Sequence, residues 1–317
     1  MNEKTKKIKI VFMGSADFSV PILLELDEKF TVLAVVTEID KPAGRGNEVE
    51  SPPTKKLAIE LGLPCHQPVT LLKNSEFIET LKSYDPDVII VAAYGKILPP
   101  EILNLPKNGC LNVHPSLLPK YRGASPIQTA LLNGEKKSGV SIILMDQRMD
   151  TGDIIIQEEI NIETDDNYVT LAKKMSMMSA RLLADILEKY INNEIKLKIQ
   201  HDSQATYTKK ISKYDGRIDW RKSADEIHNQ IRAYAEWPSS YTFFDKKKLD
   251  IIRACPVEIN KVNDWPIGTV INEGERICVK CSEGWLELLS VKLEGKNEVL
   301  IKDFINGHQK FVGSFLG

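Results

Sequence analysis

The sequence predicts an α/β protein with a Rossmann-like, mostly parallel β-sheet, followed by a small OB-like β-barrel domain. Over the first half of the chain, apolar strand-like runs alternate with helix-like segments. Such alternation is typical of βαβ units, whose right-handed crossovers build a parallel sheet with helices on both faces. Beyond about residue 200, short alternating runs separated by turns follow one another instead, which is typical of a small barrel.

The elements of the first half follow from their apolar patterns. Residues 88–93 (VIIVAA) form a continuous apolar run, as expected for a strand that is buried on both faces. The other strands are predicted at 8–13, 30–37, 110–114 and 139–145, and helices at 18–28, 54–61, 74–84, 125–133 and 168–191. Ligands on parallel sheets lie beyond the carboxyl ends of the strands. The chemistry is therefore expected just after Met13, Thr37, Tyr94 and His114.

The second half is predicted to contain a linker and then the small β domain. Residues 200–216 are polar, and residues 223–236 predict a helix with Ser223 as its N-cap. Short strands are predicted at 241–244, 249–253, 268–271, 277–281 and 285–293. These patterns predict a first domain over residues 1–200, a linker over 201–215 and a second domain over 216–317.

Charge and composition exclude several classes of protein. The 317 residues include 42 basic and 44 acidic side chains, so no overall basic excess indicates a nucleic-acid binder, and contacts with RNA would have to be local. The first apolar run is too short for a signal peptide, and no stretch approaches the roughly 20 apolar residues of a membrane span. We therefore expect a cytoplasmic protein without a membrane partner. A GxGxxG fingerprint is absent after the first strand, which argues against a nicotinamide cofactor.

The five cysteines do not indicate a disulfide framework, because they are scattered and odd in number. Cys278 and Cys281 have the CxxC spacing of a zinc site. Zinc would need two further ligands, and no second pair or nearby histidine supplies them. We favour the interpretation that both are small buried side chains in a strand, and we expect no metal.

Polar residues at the end of the fourth predicted strand are the first candidates for catalysis. Asn112 and His114 are two apart, so they point to the same side of a strand. An amide can donate to a developing oxyanion, and a neutral imidazole can take a proton from an attacking amine. An isolated Asn-x-His is more often a polar pair without a function. Here, however, a loop made rigid by two prolines and a glycine follows (116–123), and Asp150 then comes in an Asp-x-Gly turn that can present a carboxylate to the imidazole.

This combination resembles the formyltransferases that use 10-formyltetrahydrofolate. The resemblance is carried by Asn112-x-His114, the run SLLPKYRG over 116–123 and the run DTGD over 150–153, and it extends over roughly residues 8–200. It implies the formyltransferase fold, 10-formyltetrahydrofolate as co-substrate and no metal. It also implies that the catalytic residues are Asn112, His114 and Asp150. The folate-binding residues that it implies are Ser116, Leu117, Leu118 and Pro119.

Three features resemble the members of that family that formylate methionyl initiator tRNA for translation initiation. They are the opening FMGSADFSVP over 12–21, the run DKPAGRG over 40–46, and the presence of a barrel-like second domain. The resemblance implies that Arg45 contacts the tRNA, that methionine on initiator tRNA accepts the formyl group, and that the protein acts as a monomer. Flanking glycines would let such a loop approach a backbone closely, and arginine has a planar donor fork that suits phosphate or an unpaired base.

Other interpretations stay open at this point. The loop around Arg45 could be a solvated surface insertion, and the acidic Glu48 and Glu50 follow it where a more basic pattern is expected. A sugar-nucleotide N-formyltransferase would share the folate site and differ in its acceptor. A non-enzymatic RNA-binding protein on a degenerate scaffold is the alternative from another class, and the intact Asn112, His114 and Asp150 argue against it.

Overall fold

The computed structural model describes residues 8–43, 48–259 and 265–317. They form two compact units, each with buried apolar side chains of its own. The first unit extends to Gly123 and also includes Lys137–Asn161 and Ala172–Thr208. The second unit consists of Ala124–Lys136, Ile162–Leu171 and Lys209–Gly317. The domain boundaries at residues 200 and 216 stay a prediction, because compactness alone does not establish which segments fold independently.

A seven-stranded sheet forms the centre of the first unit. The strands of this unit are β1 Lys9–Gly14, β2 Thr31–Val36, β3 Lys41–Ala43, β4 Glu48–Glu50, β5 Cys65–His66, β6 Val88–Ala92, β7 Cys110–His114, β8 Lys137–Leu144 and β9 Ile154–Asn161. Their order in the sheet is β5-β2-β1-β6-β7-β8-β9. The strands from β5 to β7 pair in parallel, whereas β8 pairs antiparallel with both of its neighbours. A mostly parallel sheet is therefore confirmed, while β9 was not predicted.

The helices begin at residues that favour helix starts. Along the chain they are α1 Val20–Lys29, α2 Pro53–Glu60, α3 Ser75–Ser83, α4 Pro100–Leu103, α5 Pro126–Leu132, α6 Tyr168–Ile191, α7 Ala224–Ala233 and α8 Ile301–Gly307. Proline opens α2, α4 and α5, where its pre-set φ fits and its missing N–H is not needed. Asn74 caps α3 by accepting the Phe77 N–H at 3.1 Å. Within the described part of the chain, no helix is long and apolar enough to cross a membrane.

The strand ends that were expected to carry the chemistry meet at one edge of the sheet. The parallel register places Gly14 of β1 beside Ala92 of β6, and Ala92 beside Val113 of β7. β6 is buried along its whole length, as its continuous apolar run predicts. Residues that follow these strands therefore lie together beyond the same edge, with His114 as the last residue of β7.

The break predicted between Glu38 and Pro53 contains a small hairpin. β3 and β4 pair antiparallel, with Lys41 opposite Glu50. Just before β3, Asp40 accepts hydrogen bonds from Lys55 Nζ and Gln67 Nε2, each at 2.7 Å. Arg45, which was predicted to contact tRNA, lies outside the described residues.

The second unit is built around an antiparallel sheet, which confirms the prediction of a small β domain. Its strands are β10 Ser240–Phe244, β11 Lys247–Val257, β12 Val270–Glu273, β13 Arg276–Lys280, β14 Trp285–Leu293 and β15 Val299–Leu300. Their order is β10-β11-β14-β13-β12, and β15 also pairs with β14. Ile227 of α7 and Phe304 of α8 belong to the same buried cluster as Leu249 and Leu286 of the sheet. The sheet thus buries an apolar face beneath two helices.

Helix α7 and the CxxC spacing both belong to this unit. Ser223 caps α7 as predicted, but the helix ends at Ala233, short of the predicted Glu236. The backbone leaves the helical conformation at the C-cap residue Tyr234, which has φ −107° and ψ 21°. Cys278 and Cys281 are buried, as their interpretation as small core side chains requires, and burial raises the pKa of each thiol to about 12.

Candidate active site

The three predicted catalytic side chains meet beyond the end of β7. Asn112 and His114 leave the same side of the strand, and His114 is only 4% exposed. Asp150 comes from the connection between β8 and β9. The Asn112 Nδ2 donates to Asp150 Oδ1 at 3.2 Å, and His114 Nδ1 lies 3.6 Å from Asp150 Oδ2. One carboxylate thus faces both the amide and the imidazole.

The backbone of the Asp150 turn explains how the carboxylate reaches this position. Asp150 has φ +56°, a left-handed conformation that Asp and Asn adopt more readily than most residues. A Cβ on Gly152 would overlap the Leu144 carbonyl, so only glycine lets the turn fold this closely onto the end of β8. Thr151 Oγ1 donates to Asp146 Oδ1 at 2.6 Å. The carboxylate is therefore presented by a closely packed turn.

The hydrogen bonds of His114 identify its neutral tautomer. His114 Nε2 lies 3.0 Å from the Tyr121 carbonyl oxygen. A carbonyl only accepts, so Nε2 carries the hydrogen and the lone pair of the neutral ring is on Nδ1. That nitrogen faces Asp150 Oδ2 at 3.6 Å. A proton taken up by Nδ1 would therefore stand beside the Asp150 carboxylate.

Hydrogen bonds position the side chains of Asn112 and Asp150, and they leave one hydrogen of the Asn112 amide available to a substrate. Asn112 uses one Nδ2 hydrogen for Asp150, and an amide nitrogen has a second hydrogen to donate. The Gly123 N–H donates to Asp150 Oδ2 at 2.8 Å. The arrangement can stabilise an oxyanion with Asn112 and move a proton with His114 beside Asp150.

The loop predicted to bind folate is stiffened by internal hydrogen bonds. Ser116 Oγ donates to the Lys120 carbonyl at 2.7 Å. The Leu118 N–H donates to Ser141 Oγ at 3.0 Å, and Ser141 Oγ donates to the Ser116 carbonyl at 2.6 Å. Leu117 and Pro119 are partly exposed, whereas Ser116 and Leu118 are buried. A folate-binding role for Ser116, Leu117, Leu118 and Pro119 stays a prediction.

Two side chains that the sequence did not single out support this site. Arg122 belongs to the run 116–123, but its guanidinium is almost fully buried and was given no role. Gln200 begins the polar stretch that was interpreted as a linker, yet its Nε2 donates to the Asp150 carbonyl at 2.9 Å. Arginine is mostly exposed in proteins, so the local sequence around Arg122 does not indicate its burial, and nothing around Gln200 in the sequence indicates this contact.

Family models match two consecutive parts of the chain. A model described as Formyl transferase matches residues 6–187, and one described as Formyl transferase, C-terminal domain, matches residues 210–309. The first match includes Asn112, His114, Asp150 and the whole 116–123 loop.

The chain is similar over its whole length to curated proteins. It is 44% identical to a methionyl-tRNA formyltransferase of Caldanaerobacter subterraneus subsp. tengcongensis over 98% of this chain and 100% of that protein. Among solved structures, its fold is similar to WlaRD, a sugar 3N-formyl transferase crystallised in the presence of dTDP and 5-N-formyl-THF. The TM-score is 0.65 and the identity 23%, over 92% of this chain and 99% of that one.

A second solved structure contains reduced folate. HypX from Aquifex aeolicus in complex with tetrahydrofolic acid has a TM-score of 0.65 and 15% identity, over 97% of this chain and 48% of HypX. The chain therefore spans about half the length of HypX, and at this identity the likeness shows the fold alone. The full-length curated relative and the two family models decide the assignment: the chain belongs to the methionyl-tRNA formyltransferase family.

Proposed function

We propose that this protein transfers the formyl group of 10-formyltetrahydrofolate to the α-amino group of methionine esterified to initiator tRNA, for translation initiation. The observation that carries the proposal is the convergence of Asn112, His114 and Asp150 in one site of a chain that belongs to this family. All three groups come from one chain, so a monomer is sufficient. We also propose that the reaction takes place in the cytoplasm, where charged tRNA and reduced folate are both present.

The reaction forms one carbon–nitrogen bond and breaks another. The neutral α-amine attacks the formyl carbon, and its nitrogen forms the new bond to that carbon. Asn112 donates its second Nδ2 hydrogen to the oxyanion that develops. His114 Nδ1 accepts the proton that the amine loses, beside Asp150. The bond from the formyl carbon to the folate nitrogen then breaks, and the proton passes to that nitrogen as tetrahydrofolate leaves. No metal is required, because this nitrogen is a tolerable leaving group.

Each substrate has a proposed binding segment. The partly exposed Leu117 and Pro119 are proposed to contact the folate, in a loop that Ser116 and Leu118 hold rigid. A folate co-substrate is supported by the family and by the tetrahydrofolic acid bound to HypX. For the tRNA, the proposed contact is Arg45, in the connection between β3 and β4.

A formyl-transfer assay with separate acceptors tests the proposal. The purified protein is incubated with 10-formyltetrahydrofolate and, in parallel, with charged initiator methionine tRNA, charged elongator methionine tRNA, and a nucleotide-linked amino sugar. We expect rapid transfer to initiator methionyl-tRNA and little to the other two. Transfer to the amino sugar alone would assign the site to a sugar-nucleotide enzyme, and folate turnover without any acceptor product would exclude both.

The tRNA contact is tested separately by Arg45→Ala. Losing a charge-assisted hydrogen bond costs about 1.5–3 kcal/mol, so the KM for methionyl-tRNA should rise by at least about 10-fold. The KM for the folate should not change. Arg181→Ala, which removes an exposed arginine of α6, serves as the matched control. Unchanged kinetics of the Arg45 variant with methionyl-tRNA would remove Arg45 from the interface.

A further inference from the structure

Arg122 has an unusual set of partners for a buried charge. Its side chain is 1% exposed, and Nε and Nη2 both donate to Gln200 Oε1, at 3.1 and 2.9 Å. Nη1 donates to Asp202 Oδ1 at 2.9 Å, but the Asp202 side chain is 59% exposed. A buried guanidinium must be hydrogen-bonded to be tolerated. The buried partner of the Arg122 guanidinium is the neutral amide of Gln200, whereas its carboxylate partner, Asp202, lies at the surface.

Gln200 connects this guanidinium to the turn that presents Asp150. Its Nε2 donates to the Asp150 carbonyl at 2.9 Å and to the Gly152 carbonyl at 2.7 Å. The Gln200 amide therefore hydrogen-bonds to the backbone at both ends of the turn formed by Asp150–Gly152. The charge of Arg122 on the oxygen of that amide polarises it, which strengthens the hydrogen bonds that its nitrogen donates.

The turn needs such support because its backbone is strained. A left-handed φ of +56° at Asp150 is sparsely populated for a residue with a Cβ and persists only where the surroundings over-determine it. The residues on either side of Arg122 contact the catalytic groups directly. His114 Nε2 donates to the Tyr121 carbonyl, and the Gly123 N–H donates to Asp150 Oδ2. Arg122 therefore connects the 121–123 segment, which contacts His114, to Gln200, which contacts the Asp150 turn.

We propose that Arg122 and Gln200 are a positioning pair for catalysis, which sets the distance between the Asp150 carboxylate and His114 without contacting a substrate. The inference rests on the proposed formyl transfer and deepens it. A displacement of about 1 Å at a catalytic group can lower a rate by roughly 100-fold. The pair should therefore act on turnover and leave the affinities for both substrates unchanged.

Gln200→Glu separates positioning from simple packing. The carboxylate of this variant still offers an oxygen, now charged, to Arg122. It loses the two N–H groups that Gln200 donates to the Asp150 and Gly152 carbonyls. We expect kcat to fall by about 10- to 100-fold, with KM for folate and for methionyl-tRNA within about 2-fold of the wild-type values. Asp202→Asn, which alters the exposed partner of the same arginine, is the matched control and should retain kcat within about 2-fold.

A second readout does not depend on the reaction. The Gly123 amide should lose protection from hydrogen exchange in Gln200→Glu, because its acceptor, Asp150 Oδ2, moves. Gln200→Asn, whose amide is one methylene too short to reach the turn, should behave in the same way and provides a second variant if the first does not fold.

The outcomes separate this inference from the proposed function. If the wild-type protein formylates methionyl-tRNA and a folded Gln200 variant retains both kcat and Gly123 protection, the positioning role is excluded and the function stands. If the wild-type protein formylates nothing, the function fails, and loss of Gly123 protection still decides whether the pair positions Asp150. A rise in KM with unchanged kcat would also contradict the inference, since it would indicate a role in binding.

Discussion

At the scale of single residues, the site depends on a carboxylate that an uncommon backbone conformation presents. Asp150 is left-handed, and Asn is the other residue that tolerates this conformation well. Asp150→Asn should therefore retain the backbone of the turn, while it removes the charge beside His114 and replaces one of the two acceptor oxygens by an NH2 group. We expect kcat to fall by more than about 100-fold, as is typical when an acid–base group is lost, with little change in melting temperature.

The measurement is single-turnover formyl transfer, with a melting curve on the same preparation. Asp153→Asn is the matched control, because it removes a carboxylate from the same connection without touching the one that faces His114. A fully active Asp150→Asn protein would show that the charge is dispensable and that the turn serves only to place Asn112.

The convergence of Asn112, His114 and Asp150 could be predicted from the sequence, whereas the contacts that support it could not. Two-residue periodicity in one strand places Asn112 and His114 on the same side, and the motif that follows adds Asp150. In the sequence, Gln200 is 78 positions from Arg122 and 50 positions from Asp150. No local pattern encodes such a contact, because it depends on how two distant segments pack.

At the scale of secondary structure, the strands were easier to predict than their directions. β8 follows a helix-containing connection, which in a βαβ unit would make it parallel to β7. β8 is instead antiparallel to β7, and α5, which lies between them in the chain, packs against α7 within the second unit. β9 was missed because only its first residues are buried, so the segment lacks the apolar run that identified β6.

Helix α7 offers a test of local stability that is independent of catalysis. Ser223 and Glu226 form a reciprocal capping box, with the Glu226 N–H donating to Ser223 Oγ at 3.2 Å. Ser223→Ala should lower the free energy of unfolding by about 1 kcal/mol, whereas Ser223→Thr, whose hydroxyl can still accept that N–H and donate to the Glu226 carboxylate, should retain most of it. Urea denaturation followed by circular dichroism measures both. Equal stability of the two variants would show that the cap contributes nothing.

The same helix should make stability depend on pH. Burial, and then the nearby Arg232, lower the pKa of His228 to about 4, whereas in the unfolded chain it is near 6.5. Between these values the unfolded state binds the proton first, so stability falls as pH decreases through this window. His228→Gln should reduce the loss in melting temperature between pH 6.5 and about 4. His201→Gln, at an exposed position, is the control, and an unaltered pH profile in the His228 variant would contradict the assignment.

At the scale of the whole molecule, the five thiols report separately on the two units. Cys110 is buried in the first unit, and Cys278 and Cys281 are buried in the second. Burial raises the pKa of each of these three thiols to about 12. Cys65 and Cys255 are only half-buried. Because the thiolate is the reactive form, we expect an aromatic disulfide reagent at pH 8 to modify Cys65 and Cys255 before the three buried thiols.

The three buried thiols should react only as their own unit opens. The experiment is a urea series with pulsed alkylation and peptide mass spectrometry. Labelling of Cys110 gives the unfolding midpoint of the first unit, and labelling of Cys278 and Cys281 gives the unfolding midpoint of the second. Coincident midpoints would mean that the units unfold cooperatively, and separated midpoints that each core is stable alone. In either case Cys278 and Cys281 should become reactive together, since both are buried in the second unit. Rapid modification of either one in the native protein would refute the buried placement and reopen the question of what the CxxC pair binds.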